Sequence, residues 1–180
     1  MNTNEPRSIL ITGCSSGIGL CVADGLKQRG YRVFATARNQ DDVRMLENQG
    51  HEALQLDLDD SDSIRQTVTE ILSRTNNQLY ALFNNGAYGQ PGAVEDLSRD
   101  TLRAQFETNL FGWHELTNML LPVMRQQGYG RIIQNSSVLG FVALKYRGAY
   151  NASKYALEGL TDTLRLEFKG TDIHFCLVEP

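Results

Sequence analysis

Ser8-Ile9-Leu10-Ile11-Thr12-Gly13-Cys14-Ser15-Ser16-Gly17-Ile18-Gly19 begins as a short apolar run and ends in three glycines. The run from Ser8 to Thr12 has the pattern of a buried strand. An amphipathic stretch from Leu20 to Arg29 follows and stops at Gly30. The order is therefore strand, glycine-rich turn, helix. The spacing Gly-x-x-x-Gly-x-Gly is neither Gly-x-Gly-x-x-Gly nor a P-loop, which needs Gly-Lys-Ser/Thr. The physics is shared with both. Gly13 permits a tight turn, Gly17 lets backbone approach a pyrophosphate, and Gly19 lets the helix pack close to the strand. The helix start then offers free N–H groups and a positive dipole end to phosphate.

Strand and helix patterns alternate through the rest of the chain. Strands are expected at Tyr31–Thr36, Glu52–Leu56, Leu79–Phe83, Arg131–Asn135 and Ile173–Val178. Helices are expected at Gln40–Gln49, Asp62–Arg74, Arg99–Gln126 with a break near Pro122, and Ala149–Lys169. Asp60 or Ser61 can cap the helix that starts at Asp62. Six alternations argue an α/β fold: a parallel sheet with right-handed crossovers and helices on both faces. Such a sheet binds ligands at the carboxyl ends of its strands. The chain, residues 1–180, reads as one dinucleotide-binding domain.

The strand ends carry the candidate residues. After Thr36 and Ala37, no acid is placed for the ribose hydroxyls of NAD; Arg38 follows, and its guanidinium suits a 2′-phosphate. Ser15 can add a hydroxyl contact. The expectation is NADP(H) rather than NAD(H). Asp57 can reach an adenine amino group or serve a helix cap. Asn84 and Asn85 can lock neighbouring loops and contact a ribose. Asn109 sits among Phe106, Leu110 and Phe111, and by itself reads as a half-exposed helix residue. Tyr150 and Lys154, four apart on one helix, share a face. An ammonium beside a phenol favours the phenolate, so the pair can pass a proton to a carbonyl oxygen or take one from an alcohol. Ser137 ends a strand, and its hydroxyl can hydrogen-bond the same oxygen.

Composition bounds the function. With 41% hydrophobic and 21% charged residues, the chain is ordinary for a globular protein. A net charge of -4 gives no general attraction to nucleic acid or anionic membrane. Three scattered cysteines fit reduced thiols in a cytoplasmic protein. The three histidines have no metal-ligand spacing, so no metal is expected. The polar start is no signal peptide, and no apolar run approaches the roughly 20 residues of a membrane span.

Taken together, these motifs resemble the short-chain dehydrogenase/reductase family. Thr12-Gly13-Cys14-Ser15-Ser16-Gly17-Ile18-Gly19 matches its Thr-Gly-x-x-x-Gly-Ile-Gly loop, Asn84-Asn85 the start of its Asn-Asn-Ala-Gly motif, and Asn109 its helix Asn. Ser137 and Tyr150-x-x-x-Lys154 match its catalytic Ser, Tyr and Lys. The loop with Arg38 is similar to the NADP-dependent hydroxysteroid dehydrogenase-like and aldehyde reductase branches. The resemblance implies a three-layer Rossmann fold, strand order 3-2-1-4-5-6, and an oxidoreductase of carbonyls and alcohols. It implies cofactor contacts from Gly13, Ser15, Ser16, Gly17, Ile18, Gly19, Arg38, Asp57, Asn84, Tyr150 and Lys154. It makes Tyr150 the general acid or base, and Ser137 the residue that polarises the carbonyl. Lys154 would hold the nicotinamide ribose, and Asn109 a water relay.

Two departures carry expectations of their own. Asn84-Asn85-Gly86-Ala87 inverts the family's Ala-Gly order, which would strain Ala87 if positive φ were required there. The family also continues beyond Pro180 with nicotinamide-contacting residues, a substrate loop and a seventh strand. The chain is therefore read as a fragment with Ile173–Val178 as an apolar sheet edge, and a dinucleotide-binding module without turnover is the alternative. Leu139, Phe141, Val142 and Leu144 suggest a small hydrophobic carbonyl or alcohol substrate. A homo-oligomer, dimer or tetramer, is implied by the resemblance.

Overall fold

A computed structural model describes residues 6–180. Side-chain alternation along β1 (Ser8–Ile11) sets the two faces of its sheet. Ile9 and Ile11 join one buried cluster and Leu10 the other. The remaining strands are β2 (Arg32–Ala37), β3 (Glu52–Gln55), β4 (Ala81–Asn84), β5 (Gly130–Asn135) and β6 (Ile173–Val178). They form one sheet in the order β3-β2-β1-β4-β5-β6, and every neighbouring pair is parallel. Leu10 pairs in register with Phe34 on β2 and Leu82 on β4. The expected order is the observed one.

Helices cover both faces. Helices α1 (Gly17–Gln28) and α2 (Gln40–Asn48) pack over Ile9, Ile11, Val33 and Phe83. Helices α3 (Ser61–Arg74), α5 (Gly112–Gln127) and α6 (Gly148–Glu167) bury Ile64, Leu116 and Leu157 against Leu10, Leu82 and Ile132. Each large apolar side chain so buried contributes about 1.5–3 kcal/mol relative to exposure. Asp60 caps α3, its carboxylate accepting from the Asp62 N–H at 2.9 Å. Strand β6 lies at the sheet edge, with Ile173 and Phe175 buried on the α6 side and His174 and Cys176 exposed on the other.

One helix expectation is corrected. Helix α5 runs unbroken through Pro122. Pro122 and Asn118, whose carbonyl loses a helical donor, both lie on the exposed face, so water meets the freed group. The interruption falls earlier, at a π turn (Glu107–Phe111) between α4 (Arg99–Phe106) and α5. A π turn inserts one residue and so rotates the helix beyond it. Here it carries Asn109, fully buried rather than half-exposed.

The site is positioned by the reversal of strand order around β1. The chain leaves β1 toward one side and β4 toward the other, and a crevice opens between their loops.

Candidate active site

The loop after β1 is built from close backbone contacts. Gly13 has φ +68°, and a Cβ there would sit 2.5 Å from Gly86 Cα. Gly17 has φ +60° with nothing within 4 Å of its missing side chain, so its backbone is open to a ligand. Gly19 lies against the Gly13 carbonyl and the Asn85 amide rather than against the strand. Ser16 precedes α1 in extended conformation without a side-chain cap, and the first turn holds no acid. The positive end of α1 is thus left unneutralised.

Asn85 locks this loop. Its Nδ2 donates to the carbonyls of Thr12 and Gly13, both at 2.9 Å. Its Oδ1 accepts from Asn135 Nδ2 at 2.8 Å. Thr12 Oγ1 accepts from the N–H groups of Asn85 and Gly86, both at 2.8 Å. One amide therefore ties together the ends of β1, β4 and β5.

A groove runs across these strand ends. One half is lined by Gly13, Ser15, Ser16, Arg38, Leu58 and Asp59. The other is lined by Ser137, Leu139, Leu144, Arg147, Tyr150 and Lys154. Ile18, Asn85, Ala87 and Tyr88 border both halves. Arg38 is exposed in the first half and makes no ion pair among the described residues.

Two expected cofactor residues are placed elsewhere. The Asn84 side chain is fully buried, donating to Thr117 Oγ1 at 3.1 Å and Gln134 Oε1 at 2.9 Å, and lines neither half of the groove. Successive strand residues point to opposite faces, so Asn85 takes the groove and Asn84 the core. Asp57 is also outside the lining; its Oδ1 accepts from the Asp59 N–H at 3.1 Å and shapes the turn. Asp59 faces the groove instead, held by the Thr108 hydroxyl at 2.6 Å. The inverted Gly86-Ala87 order brings no strain, because neither Ala87 nor Gly86 has positive φ.

Asn109 is paired with backbone. Its Oδ1 accepts from the Tyr88 N–H at 3.1 Å, and its Nδ2 donates to the Tyr88 carbonyl at 2.9 Å and to Ser153 Oγ at 3.3 Å. The π turn thereby fixes both the Tyr88 loop and α6. Tyr150 lies in the first turn of α6 and is half-buried; its ring is 3.4 Å from where a Gly89 Cβ would be. Lys154 follows one turn later, 1% exposed, with Nζ 5.5 Å from the Tyr150 ring centroid. Lys154 Nζ donates to the Asn135 carbonyl at 2.6 Å. Ser137 is 8% exposed and lines the same half of the groove, while its neighbour Ser136 donates to Glu158 instead.

Burial pushes the Lys154 ammonium down to about 7, against the opposing pull of the Glu158 charge. In the unfolded chain the proton stays on to about pH 10.4. Below the folded midpoint both states are protonated and the cost of the buried charge is full. Between the two midpoints the unfolded state binds more protons, so stability rises with pH through that window. Lys154→Met removes the effect. Its gain over wild type in unfolding free energy should be greatest below pH 7 and shrink by about 2–4 kcal/mol toward pH 10. Urea titrations at a series of pH values measure this.

A family model for short chain dehydrogenases matches residues 7–180. The chain belongs to the short-chain dehydrogenase/reductase family. The Escherichia coli oxidoreductase YbbO is 45% identical over 174 residues, covering 97% of this chain and 65% of YbbO. The 3-ketodihydrosphingosine reductase of Bacteroides thetaiotaomicron is 38% identical over 180 residues, covering 98% of this chain and 64% of its own length. The crystal structure of an actinorhodin polyketide ketoreductase with NADPH superposes with a TM-score of 0.92 at 32% identity, covering 100% of this chain and 72% of that one. The chain thus spans just under two thirds of the length of these curated relatives. Among the described residues no helix is long and apolar enough to cross a membrane.

Asn85 was expected, with Asn84, to lock neighbouring loops, and it does. Two residues of the site lay outside the sequence expectations. Asn135 reads as a strand end, and Trp113 as a core aromatic; the one signal for Trp113 is its spacing of four residues from Asn109, which puts both on one face.

Proposed function

We propose that this chain carries the dinucleotide-binding and proton-transfer machinery of an NADP(H)-dependent oxidoreductase that interconverts an apolar carbonyl compound and its alcohol. The observation that carries the reading is the single groove that places Ser137, Tyr150 and Lys154 beside the open end of the Gly13–Gly19 loop. A nicotinamide dinucleotide supplies the hydride when bound. The uncapped start of α1 and the open Gly17 backbone suit its pyrophosphate. Tyr150 Oη gives its proton to the substrate oxygen in reduction and takes it back in oxidation. Ser137 Oγ hydrogen-bonds that oxygen and fixes it against Tyr150. Lys154, while charged, favours the phenolate left on Tyr150. Leu139 and Leu144 supply an apolar wall for the body of the substrate. The ketoreductase and ketodihydrosphingosine reductase relatives support the carbonyl chemistry.

Arg38 supports NADP(H) over NAD(H). It lies in the groove free of ion pairs among the described residues, ready for a 2′-phosphate. Arg38→Glu should weaken NADPH binding by about 30- to 100-fold and change NADH binding by less than about threefold, as read by calorimetry. Equal effects on the two cofactors would remove the assignment. The free thiols of Cys14, Cys21 and Cys176 support a reducing, cytoplasmic setting. Exposed Phe111, Tyr155 and Leu166 support a homo-oligomer.

The whole reading is tested by following NADPH absorbance with purified protein and a panel of aldehydes and ketones. Oxidation that depends on an added carbonyl supports it. Tight NADPH binding with no oxidation across the panel would point to a dinucleotide-binding module.

A further inference from the structure

Trp113 is fully buried at the start of α5, and it is the chain's only tryptophan. Its Nε1–H donates to the Gly86 carbonyl at 2.8 Å, which locks the indole in one orientation. Lys154 Nζ lies over the indole ring, 4.4 Å from its centroid. We propose that Trp113 is a positioning residue for Lys154, whose indole face holds the buried ammonium in its charged form and in place beneath Tyr150. The inference takes the role of Lys154 from the reading above, but its test reads the lysine proton directly.

The surroundings of Lys154 supply the reason. It is almost wholly buried and makes no ion pair among the described residues. Strand β5 offers the Asn135 carbonyl, which accepts from an ammonium or a neutral amine and so discriminates weakly between them. Helix α6 offers the Tyr150 ring, and Glu158 one turn further on, whose carboxylate is engaged by the Ser136 hydroxyl. Helix α5 brings the indole face, while its Glu115 accepts from the Ser61 hydroxyl and its Arg125 lies over the Phe168 ring. A π face attracts a cation and leaves a neutral amine nearly unaffected, most strongly where water is excluded. Of the uncharged contacts, the two ring faces select the charged form, and the indole, at 4.4 Å against 5.5 Å for the Tyr150 ring, is the nearer and the stronger. Its N–H anchor adds a second consequence. Gly86 packs against Gly13, so the indole joins the lysine pocket to the dinucleotide loop.

The test uses this unique tryptophan. Replacing it biosynthetically with mono-, di- and trifluoro-tryptophan keeps the shape and the N–H while draining charge from the ring face. The Lys154 midpoint is read by NMR from its ε-carbon resonance, assigned by its loss in Lys154→Arg. The midpoint should fall stepwise with each fluorine, by about one pH unit in total, a tenfold change in the protonation equilibrium. Trp113→Phe, which keeps a weaker face, should fall between wild type and Trp113→Leu. A midpoint constant to within about 0.2 units across the fluorinated series would overturn the proposal, because a merely structural indole would leave the titration unmoved. Loss of turnover without any change in that titration would count against the inference in the same way. An unreactive wild-type protein whose lysine follows the series would reject the enzymatic reading alone.

Discussion

Tyr150→Phe should lose turnover by about 10²- to 10⁴-fold while binding NADPH within about threefold of wild type. The substitution is narrow in its effect. Tyr150 is half-buried in the groove, with its ring beside Gly89 and 5.5 Å from Lys154 Nζ. Phenylalanine keeps that ring and therefore the packing of the first turn of α6. Only the hydroxyl is lost, and with it, in the proposed function, the proton for the carbonyl oxygen as the hydride arrives. Because that proton moves in the transition state and not in the bound complex, the loss should appear in kcat rather than in cofactor affinity. Steady-state NADPH oxidation gives the first quantity and calorimetry the second. Turnover within about fivefold of wild type would place the proton donor elsewhere. Ser137→Ala should cost less, since in the proposed function Ser137 orients the oxygen and moves no proton. A larger loss from Ser137→Ala than from Tyr150→Phe would reverse the two roles.

The fold was legible because its signals are periodic. Ile9 and Ile11 fall on one side of the sheet and Leu10 on the other, as alternation requires. The glycine loop was legible because chemistry allows few residues there: Gly13 needs both positive φ and room for Gly86. Side-chain direction was less legible, because a pattern gives spacing but not which way a given residue turns. Asn84 and Asn85 are equivalent in sequence, and only the end of β4 decides that Asn84 faces Thr117 and Asn85 the groove. Asp57 turns its carboxylate to the Asp59 N–H, a side-chain turn that local sequence permits but does not demand. Pro122 is a strong helix-breaking signal that tertiary placement overrides, because its freed carbonyl partner lies in water. Asn109 carries no such signal. Its burial depends on the π turn and on a backbone partner, Tyr88, 21 residues away.

Asn85→Asp should lower stability by about 2–4 kcal/mol at neutral pH and weaken dinucleotide binding at least about 100-fold. The change keeps the size and shape of the side chain but replaces both donated hydrogen bonds with repulsion. A carboxylate is an acceptor only, and it would face the Thr12 and Gly13 carbonyls across 2.9 Å. One oxygen would still accept from Asn135 Nδ2. The added charge would lie beside the groove proposed to receive a pyrophosphate, near the unneutralised start of α1. The facing carbonyls would raise the new carboxyl above its unfolded value near 3.9. The defect should therefore grow as pH rises through that raised value, since the ionised form is the one that cannot pair. Asn85→Ala separates the two effects: it loses the donated hydrogen bonds, and the one from Asn135, without adding charge, so its deficit should be flat with pH and smaller at neutral pH. Urea midpoints across pH, with NADPH calorimetry at neutral pH, measure both. A deficit in Asn85→Ala with none in the isosteric Asn85→Asp would mean that the amide contributes bulk rather than donors. Nothing else observed at the end of β4 would then explain how Gly13, Asn135 and, through the Asn135 carbonyl, Lys154 are held in one frame.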